Sequence, residues 1–156
     1  DTGLDTLTGG RCKVIQKYIK NEPCFLTYGD GVSNIDINDL LKFHSHHGKK
    51  LTISAVHPPA RFGELKIDGH KVTSFIEKPQ LQEGWINGGF FVCEPSFFDY
   101  ITEDVMLERE PIERAVKDAQ ICAYKHEGFW QCMDTLRDKQ LLEKLWIQGC
   151  APWRCK

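Results

Sequence analysis

The sequence predicts an α/β domain whose sheet is partly parallel and partly antiparallel, and three observations lead there. Short β-favouring apolar runs alternate with helical patterns from Arg11 to Val56, the order of a strand–helix–strand layer structure. Beyond Pro58-Pro59, two segments of alternating polarity flank Asp68-Gly69, the mark of a hairpin that adds antiparallel strands. The chain's 156 residues, 41% hydrophobic and 27% charged, suffice for one compact core, so residues 1–156 are expected to form one domain.

The elements follow in order. Val14, Ile15, Tyr18 and Ile19 fall at helical spacing within 11–20, and Asn21 and Pro23 stop the helix. Cys24 to Tyr28 is a buried strand that delivers Asp30 to the loop Gly29-Asp30-Gly31. Asn34 or Asp36 caps a helix with the face Ile37, Leu40, Leu41 and Phe43, which Gly48 closes before the strand 51–56. The hairpin pairs 64–67 with 71–75. A strand over 85–93 contains Gly88-Gly89, where missing side chains let another group approach closely. Helices over about 95–101 and 108–120, a strand over 121–125 and a helix over about 135–147 complete the chain.

Composition excludes several function classes. Lys plus Arg number 20 against 22 Asp plus Glu, which leaves no basic excess for a nucleic-acid backbone. No run approaches the roughly 20 apolar residues that span a bilayer, and Asp1 to Gly10 lack the build of a secretory signal, so the expected location is cytoplasmic. Seven scattered cysteines show neither zinc spacing nor a disulfide framework and read as reduced thiols; Cys150 and Cys155 form a candidate pair near the C-terminus, which a cytosolic setting disfavours.

Two acids stand just past apolar runs, Asp30 in Thr27-Tyr28-Gly29-Asp30-Gly31 and Asp134 in Trp130-Gln131-Cys132-Met133-Asp134-Thr135. Two carboxylates converging at strand ends are what a protein supplies to a magnesium ion, although either acid alone is as well explained as a turn or helix cap. Glu77-Lys78-Pro79 offers an acceptor for hydroxyls and a point charge for a phosphate, or an ordinary exposed ion pair. Thr8-Gly9-Gly10-Arg11 resembles a glycine-rich loop presenting N–H groups to an anion at the start of a helix. His44, His46 and His47, followed by Lys49 and Lys50, read as a solvated helix end rather than a metal site.

Taken in order, Thr8-Gly9-Gly10-Arg11, Thr27 to Val32, Pro58-Pro59-Ala60-Arg61-Phe62-Gly63, Phe75 to Pro79, Ile86 to Val92 and Phe129 to Asp138 closely resemble the glucose-1-phosphate cytidylyltransferase family of sugar nucleotidyltransferases. The resemblance implies a Rossmann-like nucleotidyltransferase fold with a mixed sheet. It also implies the activity: CDP-glucose and pyrophosphate made from CTP and α-D-glucose 1-phosphate, on the route to surface-polysaccharide (O-antigen) sugars, with Mg²⁺ as cofactor and a homo-oligomer as the family's assembly. By that resemblance Asp30 and Asp134 hold the metal, Lys78 neutralises the sugar phosphate, and Glu77 and the Gly63 backbone address sugar hydroxyls. Gly10 and Arg11 touch the nucleotide, and Gly29, Asn87 and Gly88 line the substrate.

The family's glycine-rich phosphate loop and its catalytic lysine are not in these residues. The resemblance therefore implies the C-terminal part of a single nucleotidyltransferase domain, lacking its N-terminal βα portion and expected to turn over little alone. Ala60 and Cys132 stand where the family pattern has glycine and proline. Alternatives are another sugar-1-phosphate nucleotidyltransferase, a non-catalytic ligand-binding or subunit-interface module, and a metal-dependent glycosyltransferase; the last usually has two acids within three residues, which Asp30 lacks.

Overall fold

Leu51–Val56 (β3) is buried along nearly its whole length, as an interior strand of an α/β sheet is when both faces are covered. In the computed structural model, which describes residues 1–58, 64–76 and 84–154 (the side chain of Glu64 aside), β3 lies inside a four-stranded sheet. The order is β1-β6-β3-β7, with β1 at Cys24–Thr27, β6 at Ile86–Cys93 and β7 at Ile121–His126. β1 runs antiparallel to β6 in a register that sets Cys24 opposite Cys93 and Thr27 opposite Phe90. The other strands form two antiparallel ribbons: β2 (Gly31–Ser33) with β8 (Trp130–Cys132), and the hairpin β4 (Glu64–Asp68) with β5 (Lys71–Ile76). Gly69 turns that hairpin with φ +59°, a backbone conformation glycine adopts at little cost.

Among the described residues four α-helices complete the order: α1 Thr8–Ile15, α2 Ile37–His47, α3 Glu110–Lys117 and α4 Leu136–Ile147. The fold is thus the expected α/β type with a mixed sheet. Among the described residues no helix is long and apolar enough to cross a membrane.

The chain divides into two compact units, each made of three stretches. The first comprises 1–27, 37–54 and 89–124; the second comprises 28–36, 55–88 and 125–156. The core of the first is built on Leu40, Leu51, Phe91, Phe97, Phe98, Ile101 and Leu107, each at most 1% exposed. Burial of one such side chain contributes about 1.5–3 kcal/mol, so this cluster outweighs any surface pair in the molecule.

Three expectations need correction. The segment expected as a helix over 95–101 is a 3₁₀ turn, Pro95–Tyr100, which inserts the consecutive Phe97 and Phe98 into the core. The helix expected over 11–20 begins earlier, at Thr8, and tightens into a 3₁₀ turn at Gln16–Tyr18. The histidine cluster is a solvated end only in part: His46 is exposed and His47 half-buried, but His44 is 2% exposed, one turn beyond the buried Leu40 on the same face of α2.

That burial is satisfied by a chain of hydrogen bonds. The Lys49 N–H donates to His47 Nδ1 (2.9 Å), so neutral His47 carries its proton on Nε2 and donates it to Thr52 Oγ1 (2.7 Å). The Thr52 hydroxyl then donates to His44 Nδ1 (2.7 Å), and His44 Nε2–H faces Glu94 Oε1 (3.2 Å). Burial, then the neighbouring His44 and Lys49, hold the His47 imidazole below its ordinary range.

Candidate functional site

The short ribbon β2–β8 in the second unit brings the two candidate acids together. Its register pairs Gly31 with Cys132, Val32 with Gln131 and Ser33 with Trp130. One further bond, Met133 N–H to the Asp30 carbonyl (2.8 Å), extends the ladder past Gly31. Asp30 therefore stands opposite Met133, and Asp134 is the next residue, so both exposed carboxylates sit at one end of one ribbon.

The turn that carries Asp134 is fixed by the start of α4. Thr135 is the N-cap, its side chain accepting from the Asp138 N–H (3.2 Å) while Asp138 Oδ2 accepts from the Thr135 N–H (3.1 Å), a reciprocal capping box. The nearly buried Gln131 donates through Nε2 to Asp138 Oδ1 (3.2 Å) and to the Cys132 carbonyl (2.8 Å). Much of the Trp130-to-Asp138 motif thus serves to hold one turn. Cys132 Sγ donates to Asp134 Oδ2 (3.3 Å), and burial, followed by that hydrogen bond, pushes the Cys132 thiol up.

The opposite end of the ribbon is clasped. The Phe129 carbonyl accepts from the Asn34 N–H (3.2 Å) and from Ser33 Oγ (2.8 Å). His126 Nε2 reaches both Asn34 Oδ1 (3.0 Å) and the Phe129 carbonyl (3.3 Å); both are acceptors, so the proton resides on Nε2. Burial holds the His126 imidazole below its ordinary range, partly offset by its bond to Phe129. A Cβ at Gly128 would lie 2.6 Å from His126 Cε1 and from Asn34 Oδ1, so glycine is required for this close approach.

Of the expected substrate residues, Asn87 and Gly88 are joined to this ribbon. Trp130 Nε1–H donates to the Gly88 carbonyl (2.8 Å), and Asn87 Nδ2 reaches the Tyr28 hydroxyl at 3.5 Å, beside Gly29 and Asp30 in sequence. Gly63, Glu77 and Lys78 lie outside the described residues. Sequence reasoning missed Tyr28, the clasp at His126, and a cluster in which the His57 ring lies on Trp85 (3.9 Å between centroids) while Lys125 Nζ is 5.6 Å from the same indole. The one available signal was Gly128, set between a histidine and two aromatic residues.

Gly10 and Arg11 lie in the first unit, and there the glycine-rich motif is not an open loop. Thr8 to Arg11 form the opening turn of α1, and two donors at this start are taken by the protein itself: the N-cap Leu7 N–H by Asp104 Oδ1 (2.9 Å) and Gly9 N–H by the Val105 carbonyl (2.9 Å). Thr8 Oγ1 accepts from the Leu107 N–H and donates to Glu108 Oε2 (2.9 Å each). Arg11 donates to Thr2 Oγ1 (2.7 Å) and the Leu4 carbonyl (3.1 Å).

A pair of carboxylates, with no group of three or more His, Cys, Asp or Glu able to hold a metal among the described residues, suits a cation that keeps several waters and takes its remaining ligands from phosphates. Mg²⁺ behaves in that way, so the donor set fits it.

The chain belongs to the nucleotidyl transferase family, whose sequence profile matches residues 9–134. Among its relatives, the glucose-1-phosphate cytidylyltransferases of Salmonella typhi and Salmonella typhimurium are each 49% identical over 156 residues, covering 99% of this chain and 61% of theirs. The chain thus spans less than two thirds of the length of the relatives it matches. In fold it resembles the crystal structure of HddC from Yersinia pseudotuberculosis, with TM-score 0.62 and 21% identity over 97% of this chain and 64% of that one.

Proposed function

We propose that this chain carries the metal-holding end of an enzyme that joins CTP and α-D-glucose 1-phosphate into CDP-glucose, releasing pyrophosphate. The observation that carries the reading is the Met133–Asp30 backbone bond, which extends β2–β8 so that Asp30 and Asp134 share one end. The relatives' names supply the substrates.

In this reaction an oxygen of the sugar phosphate attacks the α-phosphorus of CTP in line, and the bond to the departing pyrophosphate breaks on the far side. Two polyanions must be held against their repulsion, so positioning and charge balance do most of the work. Asp30 and Asp134 would hold Mg²⁺, which when bound supplies positive charge to the phosphates. Lys78 neutralises the sugar phosphate, while Glu77 and the Gly63 backbone accept from and donate to sugar hydroxyls. Asn87, Gly88 and Gly29 border the sugar. Gly10 and Arg11 reach the nucleotide once the contacts of α1 with Asp104 and Val105 are exchanged for ligand contacts. The working protein is a cytoplasmic homo-oligomer.

Titration of CDP-glucose into residues 1–156 tests this reading. Binding is expected to require Mg²⁺ and to weaken by about tenfold or more in Asp134→Ala, a loss of about 1.4 kcal/mol or more. With 61% of its relatives' length, the same stretch is expected to release little pyrophosphate by itself. Equal affinity with and without the metal would overturn the assignment, and tighter binding of a uridine, guanosine or thymidine diphosphosugar would reassign the base.

A further inference from the structure

Three of the cysteines, Cys12, Cys24 and Cys93, influence one another in the first unit, and none has a role in the reading above. Cys24 opens the edge strand β1 and Cys93 closes β6, and the antiparallel register sets them directly opposite. Directly opposed residues point to the same face, with Cα atoms about 4.5 or about 5.5 Å apart. Either spacing lies in the window of about 4.4–6.8 Å that a disulfide bridges without moving the backbone. In that facing position each thiol is the strongest single influence on the other's proton affinity. Cys24 is half-buried and Cys93 fully buried, so an oxidant meets Cys24 first.

We propose that Cys24 and Cys93 form a peroxide-sensitive dithiol that closes reversibly into a cross-strand disulfide.

The three thiols differ in the way such a site needs. The facing Cys93 holds the Cys24 thiol below its ordinary range against the opposing effects of burial and Glu94, which favours the nucleophilic thiolate. Cys93 is pushed far up, first by Cys24 and then by burial, and keeps its proton until it is needed. Cys12, close enough to feel Cys24, is pushed up to about 11 by burial, Glu108 and Cys24. Service as a small apolar side chain accounts for Cys12. It does not account for two cysteines set directly opposite one another in register.

The chemistry balances with a hydroperoxide as oxidant. The Cys24 thiolate attacks one peroxide oxygen, the O–O bond breaks, and the departing hydroxide takes a proton to leave as water, giving a sulfenic acid. Cys93 sulfur then attacks Cys24 sulfur, the S–O bond breaks, and the hydroxide released takes the Cys93 proton. Two thiols and one hydrogen peroxide become one disulfide and two waters, and a dithiol reductant reverses the bridge.

The test treats residues 1–156 with hydrogen peroxide, blocks remaining thiols under denaturing conditions with a maleimide, and maps the products by peptide mass spectrometry. A Cys24–Cys93 cross-linked peptide that disappears on treatment with dithiothreitol is expected, with Cys12 still alkylated. Cys24→Ser should lose the bridge completely and leave Cys93 alkylated, whereas Cys93→Ala should leave a Cys24 sulfenic acid that dimedone captures. The wild-type map decides the matter even where a variant folds poorly. The proposal is overturned if Cys24 passes to sulfinic acid with Cys93 still free, stays reduced while other thiols oxidise, or bridges elsewhere.

Discussion

The start of α1 and the ribbon end at Gly29-Asp30-Gly31, which Asp134 shares, both set glycine beside charge, yet they are closed in opposite ways. At α1 the protein supplies its own acid: Asp104 takes the Leu7 N–H, and a Cβ on Gly10 would stand 2.0 Å from the Asp104 carboxylate. At the ribbon end the supporting bonds go to Gln131, Thr135 and Asp138 around the turn, and the exposed Asp30 and Asp134 carboxylates are carried beyond the last rung. A glycine therefore marks where a group can come close, as the 104–107 segment does at Gly9 and Gly10, and not that one does: a Cβ on Gly29 would meet nothing within 4 Å. Which group comes close, a ligand or the protein, is decided by contacts far away in the sequence.

That contrast can be broken most forcefully at Gly9. A methyl there would sit 2.6 Å from the Val105 carbonyl, a backbone group that cannot swing aside, so Gly9→Ala is expected to destabilise the chain by about 2–3 kcal/mol despite alanine's better helix propensity. Gly10→Ala meets a side chain and should cost less, about 1 kcal/mol. Urea unfolding midpoints measure both. A neutral Gly9→Ala would mean that the 104–107 segment stands away from α1 and leaves its first turn open to a ligand.

The other half of the contrast is sharpened at Thr135. Thr135→Val removes the capping oxygen while leaving Asp134 in place, and about 1 kcal/mol of stability should go with it. Mg²⁺-dependent binding of CDP-glucose should weaken in parallel, because the turn that aims Asp134 loosens. Binding unchanged alongside a stability loss would show that the cap steadies only the helix.

The smallest effect is one of pH. His126 in the ribbon clasp and His47 in the first unit are both held below the ordinary histidine range, chiefly by burial. As pH falls below about 6.5 the unfolded chain takes up protons that the folded chain refuses, so stability falls through the interval down to the lowered native values and then levels off. His126→Gln, which preserves a donor for Asn34 and Phe129, should flatten part of that slope, as read from unfolding midpoints between about pH 7 and about pH 5.

What was legible in the sequence follows the length of each signal. Leu51–Val56 and Ile86–Cys93 are long enough for their composition to declare strands, and Thr135 with Asp138 announces the start of α4. β2 and β8 have three residues each, too few for any period to register, yet they bring Asp30 and Asp134 together. The acids could thus be chosen from their context, but their meeting could not be read. His44 was misread for a different reason: three histidines before a lysine pair look polar, although the i, i+4 spacing from Leu40 already put one of them on the buried face. Thr8 to Arg11 looked like an anion loop because nothing nearby in the sequence reveals that Asp104 and Val105 arrive to fill it.

Because each compact unit is stitched from three separated stretches, neither can be cut out as an uninterrupted piece of chain. Many native contacts must wait for distant segments to find one another, which raises the entropy of loop closure and slows collapse to the finished state. A ribosome must release the stretch as far as Tyr124 before the first unit has all its parts, leaving the growing chain dependent on whatever shelters unfinished proteins.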